Sequence, residues 1–270
     1  MIYVLVWGGL VVELCGKLKK MEKNLTGKVA VVTGASKGIG AGIAIELAAR
    51  GASVVVNYAS SAEGAEKVVK TIAAAGGKAV AVQADVSSVP AVQRLFEEAA
   101  RVFGGVDILV NNAGIYGFTP IETITDEVFW RYYNINVLGA IHCIQEAIKL
   151  FKPEGGTIIN IGSAVVTMDI PMSLVYTSSK YVMDSMTRML AKELAARHIR
   201  VNSINAGSTE TEGTLAAGLV GGDAEKFFLA NTPLGRTGTV KDVAKVAAFL
   251  ASDESAWVTG ELIAAAGGMR

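Results

Sequence analysis

The sequence contains few of the residues that build disulfide frameworks or metal centres. Its 270 residues include two cysteines, Cys15 and Cys143, and two histidines, His142 and His198. Two cysteines cannot form a network of disulfides, and these four residues show no spacing typical of a zinc site. We therefore expect no bound metal.

An excess of charge of either sign is also missing. Lys and Arg together number 25, Asp and Glu together number 25, and charged residues make up only 19% of the chain. Proteins that bind nucleic acid or an anionic membrane usually carry clustered positive charge. We therefore expect no nucleic-acid partner and no membrane contact. The 51% of hydrophobic residues is enough for a large core and excludes global disorder.

The N-terminal segment contains an almost unbroken apolar run at residues 2–12. The run is shorter than the roughly 20 residues that span a bilayer, and it lacks the positive start and cleavage site of a secretory signal. We interpret residues 1–24 as an extension outside the fold of a cytoplasmic protein, with Met21 as its natural start. A membrane or partner anchor is the alternative interpretation.

The hydrophobic pattern after residue 25 alternates between short β-branched runs and stretches of helical spacing. This order is typical of an α/β fold with a parallel sheet covered on both faces. It predicts a single doubly wound domain over residues 25–270. Residues 208–238 are too long for an ordinary connection, and we predict a mobile lid with a helical piece there. The seven predicted strands are residues 29–33, 53–57, 79–83, 108–110, 157–161, 200–204 and 262–264.

A glycine-rich turn follows the first predicted strand and opens the first predicted helix. It reads Thr33-Gly34-Ala35-Ser36-Lys37-Gly38-Ile39-Gly40. Glycines let the backbone approach a pyrophosphate closely, and the helix N-terminus offers free N–H groups to the anion. The turn therefore predicts a dinucleotide site, the alternative being a strand-to-helix turn that binds nothing.

The end of the second strand bears on the choice between NADP(H) and NAD(H). An acidic residue there would bind the ribose hydroxyls and repel a 2′-phosphate. This chain reads Asn57-Tyr58-Ala59-Ser60-Ser61, in which Asn and Ser can donate to phosphate oxygens, and Lys37 offers a cation nearby. The segment favours NADP(H) and leaves NAD(H) as the alternative; it is also suited to a polar turn that caps the next helix.

Tyr176 and Lys180 lie four residues apart at the start of a long predicted helix, so they share one helix face. A nearby cation lowers the pKa of a phenol, which would let Tyr176 exchange protons with an alcohol or ketone oxygen. By itself the pair is more often an ordinary surface contact. Ser163 follows the fifth predicted strand, where its hydroxyl could hold the substrate oxygen or simply begin a turn.

These motifs together resemble the short-chain dehydrogenase/reductase family. The resemblance rests on the glycine turn, Asn111-Asn112-Ala113-Gly114, Ser163 and the Tyr176/Lys180 pair. It implies a Rossmann fold and hydride transfer at the nicotinamide C4, between NADP(H) and a ketone or secondary alcohol. It further implies that Tyr176 is the acid/base and that Lys180 binds the nicotinamide ribose and lowers the pKa of Tyr176. By the same resemblance, Ser163 orients the substrate carbonyl and Asn136 holds a proton-relay water.

The resemblance also implies a cofactor groove and an oligomer. A homotetramer is expected, with the helical stretches 126–151 and 173–197 packing against their copies. Met183, Met186, Met189, Leu190 and Leu194 supply apolar positions for this contact, or else face the sheet. The residues expected along the groove are Gly34, Ser36, Lys37, Gly38, Ile39, Gly40, Asn57, Tyr58, Ala59, Ser60, Asp85, Val86, Asn112, Ala113, Gly114, Tyr176, Lys180, Gly207 and Thr209.

One departure from the family pattern concerns the end of the sixth strand. The family usually has Pro-Gly there, whereas this chain has Ala206-Gly207 and so lacks proline's fixed φ. The contacts expected near Thr209 and Thr211 are therefore less secure than the catalytic residues. The substrate is left open among hydrophobic ketones, 3-oxoacyl thioesters and sugars. A non-catalytic dinucleotide sensor is the alternative from another class, although it would have no need of Ser163, Tyr176 and Lys180 together.

Overall fold

The computed structural model describes residues 23–270, so the predicted N-terminal extension lies almost wholly outside the described residues. The strands of the described part are, in chain order, β1 (Val29–Val32), β2 (Ser53–Tyr58), β3 (Lys78–Gln83), β4 (Ile108–Asn111), β5 (Gly156–Ser163), β6 (Ile199–Ala206), β7 (Thr209–Glu210), β8 (Gly238–Thr239) and β9 (Leu262–Ala265). The α-helices are α1 (Gly38–Ala49), α2 (Ala62–Ala74), α3 (Val89–Phe103), α4 (Asp126–Tyr133), α5 (Gly139–Leu150), α6 (Leu174–Glu193), α7 (Glu212–Ala216), α8 (Asp223–Ala230) and α9 (Val240–Ala251).

Seven of these strands form one parallel sheet in the order β3-β2-β1-β4-β5-β6-β9. The predicted α/β fold with a seven-stranded parallel sheet is confirmed. The strand order reverses between β1 and β4, so the chain leaves these two strands in opposite directions. In open parallel sheets this reversal creates a crevice at the carboxyl ends of the strands, where ligands bind.

Each face of the sheet carries its own hydrophobic core. In β1, Ala30 and Val32 belong to the core under α1, α2 and α9, while Val31 belongs to the core under α3, α5 and α6. Successive side chains of a strand point to opposite faces, so a strand covered on both sides, such as β1, can be apolar at every position. This double burial explains why the strands read as continuous β-branched runs in the sequence.

The predicted helical stretch 126–151 is correct in type but is not one continuous α-helix. Between α4 and α5, Asn134–Leu138 forms a π-helical turn in which the N–H of Gly139 bonds to the carbonyl of Asn134, five residues earlier. Such turns insert an extra residue into a helix and are frequent at functional sites. The insertion brings Asn136 to the loop that follows β4.

The segment 208–238 contains two helices, α7 and α8, rather than the single helical piece that we predicted. Its two ends meet, because β7 pairs with β8 through Thr209 and Gly238. Thr211 caps α7 by accepting from the N–H of Thr214 at 3.1 Å. The segment therefore leaves the edge of the domain and returns to the same place, and its mobility stays a prediction.

The apolar residues predicted along α6 face mainly the sheet. Met183 and Leu194 are buried, and Met186 and Leu190 pack partly buried against the second core. Met189 alone of the five is well exposed, at 66%. Most of the set therefore faces the sheet, and packing of this helix against a second copy of the chain stays a prediction.

Within residues 23–270, no helix combines the length and hydropathy needed to cross a membrane. In the same part of the chain, no three His, Cys, Asp or Glu side chains are grouped so that they could hold a metal ion.

Candidate active site

The glycine turn lies between β1 and α1 at the carboxyl edge of the sheet. Gly34 has a φ of 60° and Gly38 a φ of 57°, a region that L side chains rarely adopt. A Cβ on Gly34 would also lie 2.9 Å from the Cα of Ala113. Glycine at position 34 is thus required both by its conformation and by the close approach of the loop after β4.

Hydrogen bonds fasten this loop to the glycine turn. The Thr33 hydroxyl accepts from the N–H groups of Asn112 and Ala113 at 2.9 and 3.0 Å. The Asn112 amide donates to the carbonyls of Thr33 and Gly34 at 2.8 and 3.0 Å. A Cβ on Gly40 would lie 2.4 Å from this amide nitrogen, so Gly40 lets α1 pack on the loop. The turn and loop form one rigid wall of a groove.

The end of β2 requires a correction. Asn57 is 1% exposed, and its amide donates to the carbonyls of Val82 and Ala84 at 3.3 and 3.0 Å. Its Oδ1 accepts from the N–H of Gly34 at 3.1 Å. The interpretation of Asn57 as a donor to a 2′-phosphate is therefore wrong, because both amide hydrogens already serve the backbone. Asn57 instead ties the glycine turn to the ends of two strands.

The N-terminus of α1 already holds an anionic group. The Gly38 N–H donates to Oε2 of Glu212, the first residue of α7, at 3.0 Å. Unpaired N–H groups at a helix start bind phosphates and carboxylates through the same interaction. The donors here therefore fit a dinucleotide phosphate, which would have to displace the Glu212 carboxylate.

A cavity of about 690 Å³ runs along this edge of the sheet. It is lined by most of the residues predicted for the cofactor groove, from Gly34 and Lys37 to Gly207 and Thr209, and by Ser163, Tyr176 and Lys180. Three predicted site residues do not line it: Gly40, Tyr58 and Asn136. Tyr58 is a further correction, because its side chain packs on the first core.

Ser163 and Tyr176 meet at the inner end of the cavity. Ser163 ends β5 and is 7% exposed, and Tyr176 lies in the first turn of α6. Burial raises the pKa of Tyr176, a hydrogen bond with Ser163 opposes the rise, and the neighbouring phenols of Tyr116 and Tyr132 add to it. Tyr176 is therefore a neutral phenol at pH 7.

Lys180 lies one turn after Tyr176 and is 7% exposed. Its ammonium donates to the Ile161 carbonyl at 2.8 Å and lies 5.9 Å from the centre of the Tyr176 ring. Burial lowers the pKa of Lys180 to about 8, and the charge of Asp184 opposes this. Burial is the largest influence on the Tyr176 pKa in this structure and raises it, and the predicted lowering of that pKa by Lys180 stays a prediction.

Asn136 does not line the cavity, and its side chain bonds instead to the backbone of the loop that follows β4. Its Oδ1 accepts from the N–H of Ile115 at 2.9 Å, and its amide donates to the carbonyl of Ile115 and to the Ser179 hydroxyl, both at 3.0 Å. These bonds use both amide hydrogens. Asn136 thus fixes the loop after β4, and any water that it holds must bind another of its atoms.

Aromatic side chains form the outer wall of the cavity. The ring of Tyr116 contacts Tyr176 edge-on, with centroids 6.4 Å apart. A Cβ on Gly213 would lie 2.5 Å from the Tyr116 hydroxyl, so the lid helix α7 packs directly on this ring. The lining residues that sequence reasoning missed include Arg131, Tyr132, Phe228 and Met269. Tyr132 lies four residues before Asn136, and this helical spacing was the sequence signal that could have placed it near the site. No sequence signal pointed to Met269.

The residues that follow β6 pack closely on those that follow β9, although this chain lacks the proline that the family usually has there. A Cβ on Gly207 would lie 2.7 Å from the Cα of Ala266, so glycine is required there. The Thr209 hydroxyl donates to the Gly207 carbonyl at 2.9 Å. Gly207, Thr209 and Thr211 all line the cavity, although Ala206 stands where the family usually has proline.

Comparison with known proteins places this geometry in a family. Residues 34–270 match the family described as enoyl-(acyl carrier protein) reductase. An uncharacterized oxidoreductase of Methylorubrum extorquens is 54% identical over 247 residues, which cover 92% of this chain and 99% of that protein. A hydroxynaphthalene reductase-like protein of Metarhizium robertsii is 41% identical over 261 residues, covering 93% and 97% of the two chains.

A solved structure agrees with these relatives. The short-chain dehydrogenase from Burkholderia cenocepacia in complex with NADP superposes with a TM-score of 0.85 at 35% identity, covering 91% of this chain and 99% of that chain. The fold, the matched length and the identities of the relatives all agree. The chain therefore belongs to the short-chain dehydrogenase/reductase family of oxidoreductases.

Proposed function

We propose that the protein transfers a hydride between NADP(H) and a ketone or secondary alcohol. One observation carries the proposal: Ser163, Tyr176 and Lys180 line the same cavity as the glycine turn, at the carboxyl edge of the sheet. A dinucleotide sensor of this fold needs the glycine turn but has no use for the other three side chains. Their convergence favours an enzyme.

The cofactor would lie along the groove between the glycine turn and Lys180. Its phosphates fit the N-terminus of α1, where Gly38 already donates to a carboxylate, and its adenine fits beside Asp85 and Val86. When bound, the dinucleotide supplies or accepts the hydride at its nicotinamide ring. Lys37 and Ser60 line the adenosine end and offer donors to a 2′-phosphate, and the Burkholderia relative is in complex with NADP. NAD(H) is the alternative.

The protein's own residues would handle the proton. The Tyr176 phenol, kept protonated by burial, donates its proton to the substrate oxygen during reduction, while the Ser163 hydroxyl holds that oxygen. In the oxidation direction the phenol must first lose its proton, which its raised pKa disfavours at neutral pH.

The substrate we propose is a hydrophobic ketone that presents a ring. Tyr116 and Phe118 are 42% and 44% exposed at the cavity, and Tyr132, Phe228 and Met269 complete the lining. Flat aromatic walls stack well on ring systems. The relative named for hydroxynaphthalene reduction supports this class, whereas the matched family's description keeps a 3-oxoacyl thioester as the alternative.

We further propose a homotetramer built on α4 and α6. Trp130 on α4 and Leu174, Tyr181 and Met189 on α6 are each about half exposed or more. Large apolar side chains of this kind on neighbouring helices favour contact with another copy of the chain. In this assembly, contact with the second copy would hold α6, the helix that carries Tyr176 and Lys180, in place.

The deciding experiment replaces Tyr176 with phenylalanine. We expect Tyr176→Phe to bind NADPH like the wild type in a fluorescence titration and to lose at least about 100-fold in kcat for ketone reduction, the usual contribution of an acid/base group. Tyr58→Phe is the matched control, since the Tyr58 side chain packs on the first core and does not line the cavity. Turnover of Tyr176→Phe above a few percent would refute the assignment.

A further inference from the structure

A buried polar seam lies behind the active site, between α6 and the sheet. On α6 it consists of Lys180, Asp184 and Thr187, which are 7%, 5% and 0% exposed. Their spacing of four and three residues places them on one helix face. A helix that covers a sheet normally fills this face with apolar side chains, and charged residues are rarely buried unless paired. The seam therefore needs an explanation.

The sheet presents a matching set of polar side chains. Asn111, Asn160 and Ser203 are register partners across β4, β5 and β6. Asn111 donates to Asn160 at 3.0 Å, and Asn160 donates to Thr187 at 2.9 Å. These groups are neutral, and the Asn111 Oδ1 is buried without a hydrogen-bond partner among the described residues. The deep end of the seam therefore holds no charge.

The end of the seam nearer the cavity holds a charge. Asn205 donates from its amide to Oδ2 of Asp184 at 3.1 Å and accepts from the Ser203 hydroxyl at 3.0 Å. A Cβ at Gly162, the register partner of Asn205, would lie 1.9 Å from Asn205 Oδ1, so glycine is required there. The backbone of β5 thus makes room for the side chain that fixes Asp184.

The second carboxylate oxygen of Asp184 is buried, and no hydrogen-bond partner for it exists among the described residues. A neutral asparagine could accept the Asn205 hydrogen bond at the same place without the cost of burying a charge. Hydrogen bonding alone therefore does not require a carboxylate. Two cations benefit from a negative charge here: Arg188 in the following turn, which is exposed, and Lys180 one helical turn earlier on the same face, which is buried.

We propose that Asp184 is a positioning residue of the active site: its buried carboxylate, held by Asn205, keeps the Lys180 ammonium charged beneath the cavity. The functional part of this inference rests on the proposed function, in which Lys180 binds the nicotinamide ribose. Only the charged form of Lys180 carries three donors, one of which goes to the Ile161 carbonyl. A neutral amine would offer one donor fewer and no charge.

The ionisable groups around this pair are few. Tyr176 and Asp184 flank Lys180 on α6, and Tyr116 and Tyr132 face Tyr176 from the loop after β4 and from α4. Arg188 faces Asp184 from the following turn. Burial raises the pKa of Asp184, while Asn205, Arg188 and Lys180 favour its ionised form. Strands β5 and β6 add uncharged contacts, from Ile161, Ser203 and Asn205.

The test measures the titration of Lys180 directly. The full chain is labelled with ¹³C at lysine Cε, the signal of Lys180 is assigned by its loss in Lys180→Arg, and its chemical shift is followed against pH. We expect a midpoint well below those of the exposed lysines. Asp184→Asn should lower this midpoint by roughly one pH unit, the effect of removing a nearby opposite charge.

Thr187→Val is the matched control, because it breaks a hydrogen bond of the same seam without changing its charge, and it should leave the midpoint unchanged. Asp184→Ser removes the charge with a smaller side chain and serves the comparison if Asp184→Asn does not fold. An unchanged midpoint in the neutral variants, or an equal shift in Thr187→Val, overturns the inference.

Enzyme kinetics then separate this inference from the proposed function. The alkaline limb of kcat/KM for ketone reduction should move to lower pH in Asp184→Asn by the same amount, with kcat below the limb close to the wild-type value. The titration needs no nucleotide and no substrate. A shifted midpoint in a protein that reduces no ketone would refute the proposed function and leave the charge pairing intact, whereas active enzyme with an unmoved limb would refute the role of Asp184.

Discussion

Asn57→Asp is the substitution for which sequence and structure give opposite expectations. From the sequence, an acid at the end of β2 should simply repel a 2′-phosphate and shift preference from NADPH to NADH. In the structure, the Asn57 amide donates to the carbonyls of Val82 and Ala84 and is 1% exposed. A carboxylate there would face two carbonyl oxygens instead. We therefore expect loss of stability before any change in cofactor choice.

The size of the loss follows from these contacts. Two hydrogen bonds to the backbone disappear, at about 1 kcal/mol each. An uncompensated buried charge typically costs about 3–5 kcal/mol, and this estimate already includes part of the lost bonding. At about 2–4 °C per kcal/mol for a domain of this size, Tm should fall by roughly 10 °C. The Gly34 N–H still finds an acceptor, so the glycine turn keeps one of its ties.

The loss should depend on pH in a defined direction. Burial without donors raises the pKa of the introduced carboxyl in the folded state above its unfolded value of about 3.9. The folded state then binds its proton more tightly, so the variant loses stability as pH rises from about 4 through the folded pKa and stays destabilised above it. The difference in Tm between the variant and the wild type should therefore be smallest near pH 4.

The assay is thermal unfolding from pH 4 to 8, with NADPH and NADH titrations at pH 7. Ser60→Asp is the control, because Ser60 is exposed and lines the same end of the cavity. We expect it to leave Tm unchanged and to weaken NADPH relative to NADH. If Asn57→Asp melts within about 2 °C of the wild type at pH 7 and favours NADH, the buried role of Asn57 is refuted.

Two further predictions concern the lid and the assembly. Glu212→Gln should tighten NADPH binding several-fold, because the side chain that competes for the Gly38 N–H loses its charge. Glu210 is exposed nearby, and Glu210→Gln should leave NADPH binding unchanged. Equal Kd values for the wild type and Glu212→Gln would contradict this competition. Light scattering at micromolar concentration should give four times the 28.1 kDa chain mass, and a single monomeric species would reject the tetramer.

The local pattern of the sequence was enough for the sheet and for the position of the cavity. Continuous β-branched runs predict strands that are buried on both faces, and the seven predicted runs all lie in the parallel sheet. Parallel strands bring their carboxyl ends to one edge, so the residues that follow β1, β4 and β5 had to meet there. This is why the sequence alone predicts that Gly34, Asn112 and Ser163 lie at one site.

The direction and partners of individual side chains were decided by the tertiary structure. The sequence suggested a phosphate contact for Asn57 and a relay water for Asn136, and it gave no role to Asp184. In the structure each of the three is buried and bonded to an element distant in the chain. Hydrophobic periodicity reports which face of an element is buried and carries no information about which polar group lies opposite. The pKa of Tyr176 depends on the same non-local packing, since burial is the largest influence on it and the phenols of Tyr116 and Tyr132 raise it further.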